Sequence, residues 1–133
     1  MKIVLDTNVL VAGLLSPQGP CSKVLQLILS ERVQLCHDER ILAEYRDVLA
    51  RPRFGFHADL VAAVIDFLEQ SGESIISPPW PLALPDPDDA MFLEVAAAAD
   101  AMCLITGNLR HFPARVRGSV RVLSPAEFLK IRI

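Results

Sequence analysis

The sequence is short of cysteine, of positive charge and of long apolar runs. Its three cysteines, Cys21, Cys36 and Cys103, are odd in number and far apart. They form neither a CxxC pair nor a disulfide framework, and Cys36 and Cys103 lie in strand-like runs that suit small core residues. Lysine and arginine number 13 against 16 aspartates and glutamates, a net charge of -3. That balance excludes a general polyanion binder, so contact with nucleic acid would need a local basic patch, with metal ions masking the acids. No apolar stretch is long enough to cross a bilayer. The apolar residues after Lys2 are interrupted by Asp6 too soon for a secretory leader. No His/Cys constellation suits zinc, and there is no internal repeat or low-complexity segment. The expectation is a reducing, cytoplasmic setting without membrane contact.

What is present argues for a packed domain. Apolar residues make up 52% of the 133, which argues against disorder and allows one domain over residues 1–133 with a sizeable core. Lys2–Leu5, Val33–Cys36, Glu73–Ser77, Met102–Thr106 and Arg121–Leu123 read as strands. Helices are predicted over Val9–Leu15, Cys21–Ser30, Asp38–Ala50, His57–Gln70 and Asp88–Asp100. Val24, Leu25, Ile28 and Leu29 share one face of the second helix. Ser124-Pro125-Ala126-Glu127 opens a last helix with a capping box. The strands are continuous apolar runs, which suggests burial on both faces. Alternation of strand and helix then predicts an α/β protein, with a central parallel sheet covered by helices on either side in three α/β/α layers.

In such a sheet, function collects at the carboxyl ends of the strands. Asp6 ends the first strand, and Thr106-Gly107-Asn108 follows the strand near the C-terminus. In ILAEYRDVL, Glu44 stands at the edge of an apolar stripe, about 40° from Val48. It either flanks the core as a solvated charge or looks along the sheet top. In PDPDDAMFLEVA, Asp86 suits an N-cap, Pro87 a first helical residue, and Asp88 and Asp89 the positive helix end. Asp89 nevertheless shares the inward face with Phe92, Leu93 and Ala96, where a carboxylate is costly unless paired, protonated or bound to a cation. Asp6 could simply cap the following helix. Taken together, three carboxylates from separate segments would repel one another without cations, and hard divalent ions prefer all-oxygen sites. His37 and His57 read as surface or strand-end residues, and Trp80 as loop packing among prolines rather than a base platform.

The blocks IVLDTNVL, ILAEYRDVL, DDAMFLEVA and CLITGNLRHFP, in this order and over nearly the whole chain, resemble the four motifs of PIN domains. These are small α/β metal-dependent ribonucleases, and the nearest kind is similar to the VapC-like toxin of bacterial toxin–antitoxin pairs. The resemblance implies catalytic and metal-binding roles for Asp6, Glu44 and Asp89, and supporting roles for Asn8 and Thr106. The fourth block often carries an acid where this chain has Asn108. An amide oxygen can still bind a metal but brings no charge, so Asn108 is a candidate further ligand.

The implied reaction is Mg²⁺- or Mn²⁺-dependent hydrolysis of RNA phosphodiester bonds, leaving a 5′-phosphate and a 3′-hydroxyl. Arg51, Arg53, Arg110, His111, Arg115 and Arg117 are candidates to grip the RNA backbone, or ordinary surface charge. A cognate antitoxin is the implied protein partner, and a homodimer a further candidate assembly. The exposed part of Phe54-Gly55-Phe56 could offer the antitoxin an apolar groove, or the two rings could cap the core. The alternative reading is a catalytically weak or inactive PIN-like module that binds RNA or protein.

Overall fold

The computed structural model describes residues 1–132; Ile133 lies outside them. Five strands run in the order β3-β2-β1-β4-β5, where β1 is Lys2–Leu5, β2 Gln34–His37, β3 Glu73–Ser74, β4 Cys103–Ile105 and β5 Val122–Leu123. Every pairing is parallel. Ile3 stands beside Leu35 on one side and Cys103 on the other, and Leu5 beside Ile105. The sheet is flanked by α1 (Thr7–Leu15), α2 (Pro20–Leu29), α3 (Glu39–Leu49), α4 (Ala58–Ser71), α5 (Ala90–Ala98) and α6 (Pro125–Arg132). Successive strands from β1 to β3 step one way along the sheet and the chain then returns to β4. Right-handed crossovers therefore carry α1 to α4 over one face and α5 over the other. Accordingly α1 packs on α2 and α3, α3 on α4, and α5 lies directly on β1, β2 and β4. No helix among the described residues is long and apolar enough to cross a membrane.

The expected three-layer α/β/α architecture is the observed one, and the reason is visible in β1. Ile3, Val4 and Leu5 are fully buried, as a strand covered by helices on both faces requires. Cys36 and Cys103 are buried core residues, while Cys21 is only partly covered. Helix ends follow local chemistry. Asp38 Oδ1 accepts from the Ile41 amide at 3.0 Å and caps α3. Ser124 and Glu127 exchange the reciprocal bonds of a capping box at 2.8 and 3.1 Å.

Four readings need correction. The helix expected from Val9 starts two residues earlier at Thr7, because Asp6 occupies the N-cap position and the polar pair after it fits the first turn. The strand expected over Glu73–Ser77 ends at Ser74. One further bond, from the Ile75 amide to the His37 carbonyl, continues the pairing, and the prolines at 78 and 79 then prevent extension. The helix expected over Asp88–Asp100 is divided: Pro87–Asp89 form a 3₁₀ turn, the α-helix covers Ala90–Ala98, and Asp100 takes a left-handed φ of 50°. Leu29 is 40% exposed and leaves the apolar face of α2.

Candidate active site

The sheet changes direction at β1, with β2 on one side and β4 on the other. The crevice above their carboxyl ends is where an open parallel sheet holds ligands. Asp6 leaves β1 there and is 5% exposed. It stands at the N-cap of α1 but makes no side-chain cap bond. Instead Thr106, fully buried at the end of β4, donates its hydroxyl to Asp6 Oδ2 at 2.8 Å. The same Thr106 oxygen accepts from the Asn108 amide at 3.0 Å. Asn8 Oδ1 accepts from the Gly107 amide at 3.1 Å. One hydroxyl and one amide thus lock the start of α1 to the loop after β4.

Glu44 and Asp89 reach the same cleft from other elements. Glu44 projects from α3 and accepts a hydrogen bond from the Thr7 hydroxyl. Tyr45, its fully buried neighbour, donates its phenol to the Leu5 carbonyl and fastens α3 to the last residue of β1. Asp89 ends the 3₁₀ turn and is 9% exposed, whereas Asp88 faces solvent. Asp86 caps that turn by accepting from the Asp88 amide at 3.0 Å. The division of labour within PDPDD is therefore capping by Asp86 and inward projection by Asp89. His111 Nδ1 approaches Asp89 Oδ2 to 3.1 Å, an ion-pair distance when the ring is protonated. The approach lacks hydrogen-bond geometry, so this buried oxygen has no donor.

Asp6, Glu44 and Asp89 line one cavity of about 400 Å³. Burial pushes the Asp6 carboxyl above its usual range, against the pull of the Thr106 bond. Asp89 is pushed up to about 6, first by burial and then by the negative charges of Asp6 and Asp86. Among the described residues, no three His, Cys, Asp or Glu side chains are grouped closely enough to form a ready-made metal shell. The acids share a cleft without closing on a common point.

The basic candidates separate. Arg51 and Arg53 line the cleft, and so does His111. Arg110, Arg115 and Arg117 do not, and Arg117 Nε is occupied by the Phe112 carbonyl at 2.6 Å. Asn108 also stays outside the lining, its backbone engaged by Thr106. Val11, Ala12, Leu15, Val48 and Phe54 supply the apolar remainder of the wall. Trp80 packs as loop, donating Nε1 to the Val116 carbonyl at 2.8 Å.

Sequence reading missed one contributor to the cleft, Thr7, and two buried polar residues outside it, Glu94 and His37. Thr7 looks like an ordinary first helical residue, and only the approach of α3 reveals its bond to Glu44. Glu94 is 8% exposed and accepts from Arg40 and from the Trp80 amide, each at 2.6 Å. A glutamate one turn and a residue past Asp89, inside an apolar helix, was the signal available. His37 ends β2 as expected but is 2% exposed rather than on the surface, and neither ring nitrogen has a partner. His57 is exposed and accepts from the Asp59 amide at 3.1 Å.

The sequence profile of the PIN domain matches residues 2–110. No curated protein sequence matches the chain significantly. Among solved structures, the fold is similar to VapBC2 from Rickettsia felis bound to a promoter DNA fragment. That match has a TM-score of 0.62 and 16% identity over 93% of this chain and 98% of that one. It is also similar to FitAcB from Neisseria gonorrhoeae, with TM-score 0.59 and 20% identity over 93% and 98% of the two chains. VapBC-1 from nontypeable Haemophilus influenzae matches with TM-score 0.60 and 16% identity over 95% and 99%. The profile match covers most of the chain and includes Asp6, Glu44 and Asp89, and the fold agrees with it: the chain belongs to the PIN domain family.

Proposed function

We propose that this protein is a divalent-metal-dependent endoribonuclease, the toxin of a type II toxin–antitoxin pair, built as a single PIN-type unit over residues 1–133. The observation that carries the reading is the buried, donor-less Asp89 Oδ2 in one cavity with Asp6 and Glu44. A buried carboxylate oxygen without a donor is costly unless paired, protonated or bound to a cation, and the half-exposed His111 at 3.1 Å pairs with it only when its ring is protonated. Carboxylate oxygens suit Mg²⁺ or Mn²⁺ rather than zinc. The donor chemistry therefore fits such an ion, with Asp6 and Asp89 as its principal ligands, Glu44 as a third and Asn108 as a further candidate.

When bound, the ion supplies positive charge to the scissile phosphate and acidifies water. The remaining work falls to the chain. Thr106 and Asn8 hold Asp6 and the β4 loop in place. Glu44 Oε1, the oxygen that Thr7 does not engage, orients the attacking water. Arg51 and Arg53 grip the RNA backbone beside the acids. Arg110, Arg115 and Arg117, lying off the cleft, serve at most the outer path of the strand. The products are a 5′-phosphate and a 3′-hydroxyl. The VapBC and FitAcB structures among the fold relatives support a cognate antitoxin as partner.

The test is cleavage of a generic RNA with Mg²⁺ or Mn²⁺ and after chelation. Asp6→Asn is expected to lower the rate at least about 100-fold, the usual worth of such electrostatic groups. Full activity of that variant in chelator would refute a metal-dependent mechanism. A second reading, an RNA- or protein-binding module without strong catalysis, is favoured by the amide at Asn108 and by the open spacing of the acids, which form no closed ligand group among the described residues. RNA binding with no cleavage across a metal titration would select it.

A further inference from the structure

The turn after α3 brings an aromatic ring and a guanidinium to the wall of the acidic cleft. Pro52–Phe54 form a 3₁₀ turn closed by Gly55, whose φ of 68° lies in the left-handed region. The Arg53 guanidinium carbon sits 4.7 Å from the centroid of the Phe54 ring. Phe56, just past the kink, stacks on Phe54 with centroids 6.1 Å apart and planes inclined by 27°. Arg53 and Phe54 both line the cavity that holds Asp6, Glu44 and Asp89.

We propose that Arg53 and Phe54 form a stacking shelf for one nucleobase next to the scissile phosphate. This rests on the nuclease reading above. Among the described residues, Arg51 pairs with Asp47 at 3.5 Å and Arg40 with Asp38 and Glu94, whereas Arg53 has no carboxylate partner. Arg53 is exposed and its guanidinium lies over the ring rather than in a salt bridge. The remaining rings are committed: Tyr45, Phe92, Phe112 and Phe128 are fully buried, Phe67 packs against the core, Phe56 stacks on Phe54, and Trp80 is bonded to Val116. Apart from the His111 imidazole, Phe54 is the one ring in the cleft wall.

Guanidinium planes and aromatic rings are the surfaces on which splayed-out bases stack. A base inside a duplex has both faces covered by its neighbours and cannot use such a shelf.

The experiment uses a ten-nucleotide single-stranded RNA of mixed sequence, the same RNA with one abasic site moved along it, and its duplex. Cleavage is followed with Mn²⁺, and binding to Asp6→Asn protein by anisotropy. For the wild type, one abasic position beside the cut should raise KM or weaken binding by about tenfold, within the range for a single stacked base, and the duplex should be cut poorly. Phe54→Leu should raise KM by a similar factor with kcat little changed, and the abasic site should then cost nothing further. Arg53→Lys keeps the charge but loses the plane, so it too should weaken binding and shrink the abasic penalty; weaker binding with the full abasic penalty retained would mark a phosphate contact only and refute the shelf. Should Arg53→Lys bind like the wild type, or every abasic RNA behave like the intact one, the shelf is refuted. Absence of cleavage with an abasic-sensitive binding step would instead refute the nuclease reading and keep the shelf.

Discussion

Asp6 and Asp89 are buried carboxylates beside the same strand end, but their neighbours treat them differently. Asp6 receives the Thr106 hydroxyl, while Asp89 Oδ2 receives no donor. The raised value of about 6 for Asp89, against an ordinary 3.8, means that the folded chain holds this proton more tightly than the unfolded chain. The stability it contributes is fully present below the unfolded value and is lost as pH rises through about 6. In chelator, the wild type should therefore gain melting temperature on going from about pH 7 to about pH 4.5, and Asp89→Asn should gain less. Parallel pH slopes in thermal melts of the two proteins would contradict this. Asp6→Asn, which removes one of several repelling charges, is expected to melt no lower than the wild type without metal. Tyr45→Phe strips the Leu5 carbonyl of its phenol donor in a fully buried place and should cost about 1–2 kcal/mol in denaturant unfolding.

Short elements hold the cleft residues in position. The 3₁₀ turn Pro87–Asp89 depends on Asp86, so Asp86→Ala is expected to lose on the order of 1 kcal/mol, a larger loss than Asp89→Asn in metal-free melts. The reverse order would mean that the capping and cleft acids are misassigned. Two glycines give a contrast of mechanism. Gly55 has open space around it but a left-handed φ of 68°, so Gly55→Ala should cost about 1 kcal/mol from backbone strain alone. Gly72 has an ordinary φ of -85°. A Cβ there, however, would stand 2.5 Å from the Leu35 carbonyl oxygen and 2.7 Å from both His37 Cδ2 and the Leu68 carbonyl oxygen. Gly72→Ala must push α4 away from β2 and is expected to be the more damaging of the two by chemical denaturation.

For the whole molecule, the relevant coupling is between folding and ligand. An ion that binds only the folded cleft stabilises by mass action, about 2.7 kcal/mol at 100 times its dissociation constant. Mn²⁺ should accordingly raise the melting temperature of the wild type and leave Asp6→Asn nearly unmoved; an equal rise in both would locate the ion elsewhere. Co-expression with the product of the adjacent gene tests the proposed antitoxin. A complex whose formation competes with Mn²⁺ is the expected result, and a neighbour that does not bind would remove the toxin assignment while leaving the nuclease one intact.

Much of the fold was legible from the chain because its signals are local. A strand buried on both faces reads as an unbroken apolar run, as Lys2–Leu5 does, and caps such as Asp38 and Ser124 act on amides a few residues away. The blocks around Asp6, Glu44 and Asp89 were likewise visible as acids at odds with their apolar surroundings. What only the tertiary structure decided involves partners far apart in sequence. The Thr106 bond to Asp6 spans 100 residues and the Thr7 bond to Glu44 spans 37, and neither leaves a local pattern. The same holds for the arginines: chain position made Arg51, Arg53, Arg110, Arg115 and Arg117 equivalent, and packing brought only the first two to the cleft. Local free energies select the elements, but which charges are buried together depends on how the crossovers bring strand ends and helices into one crevice.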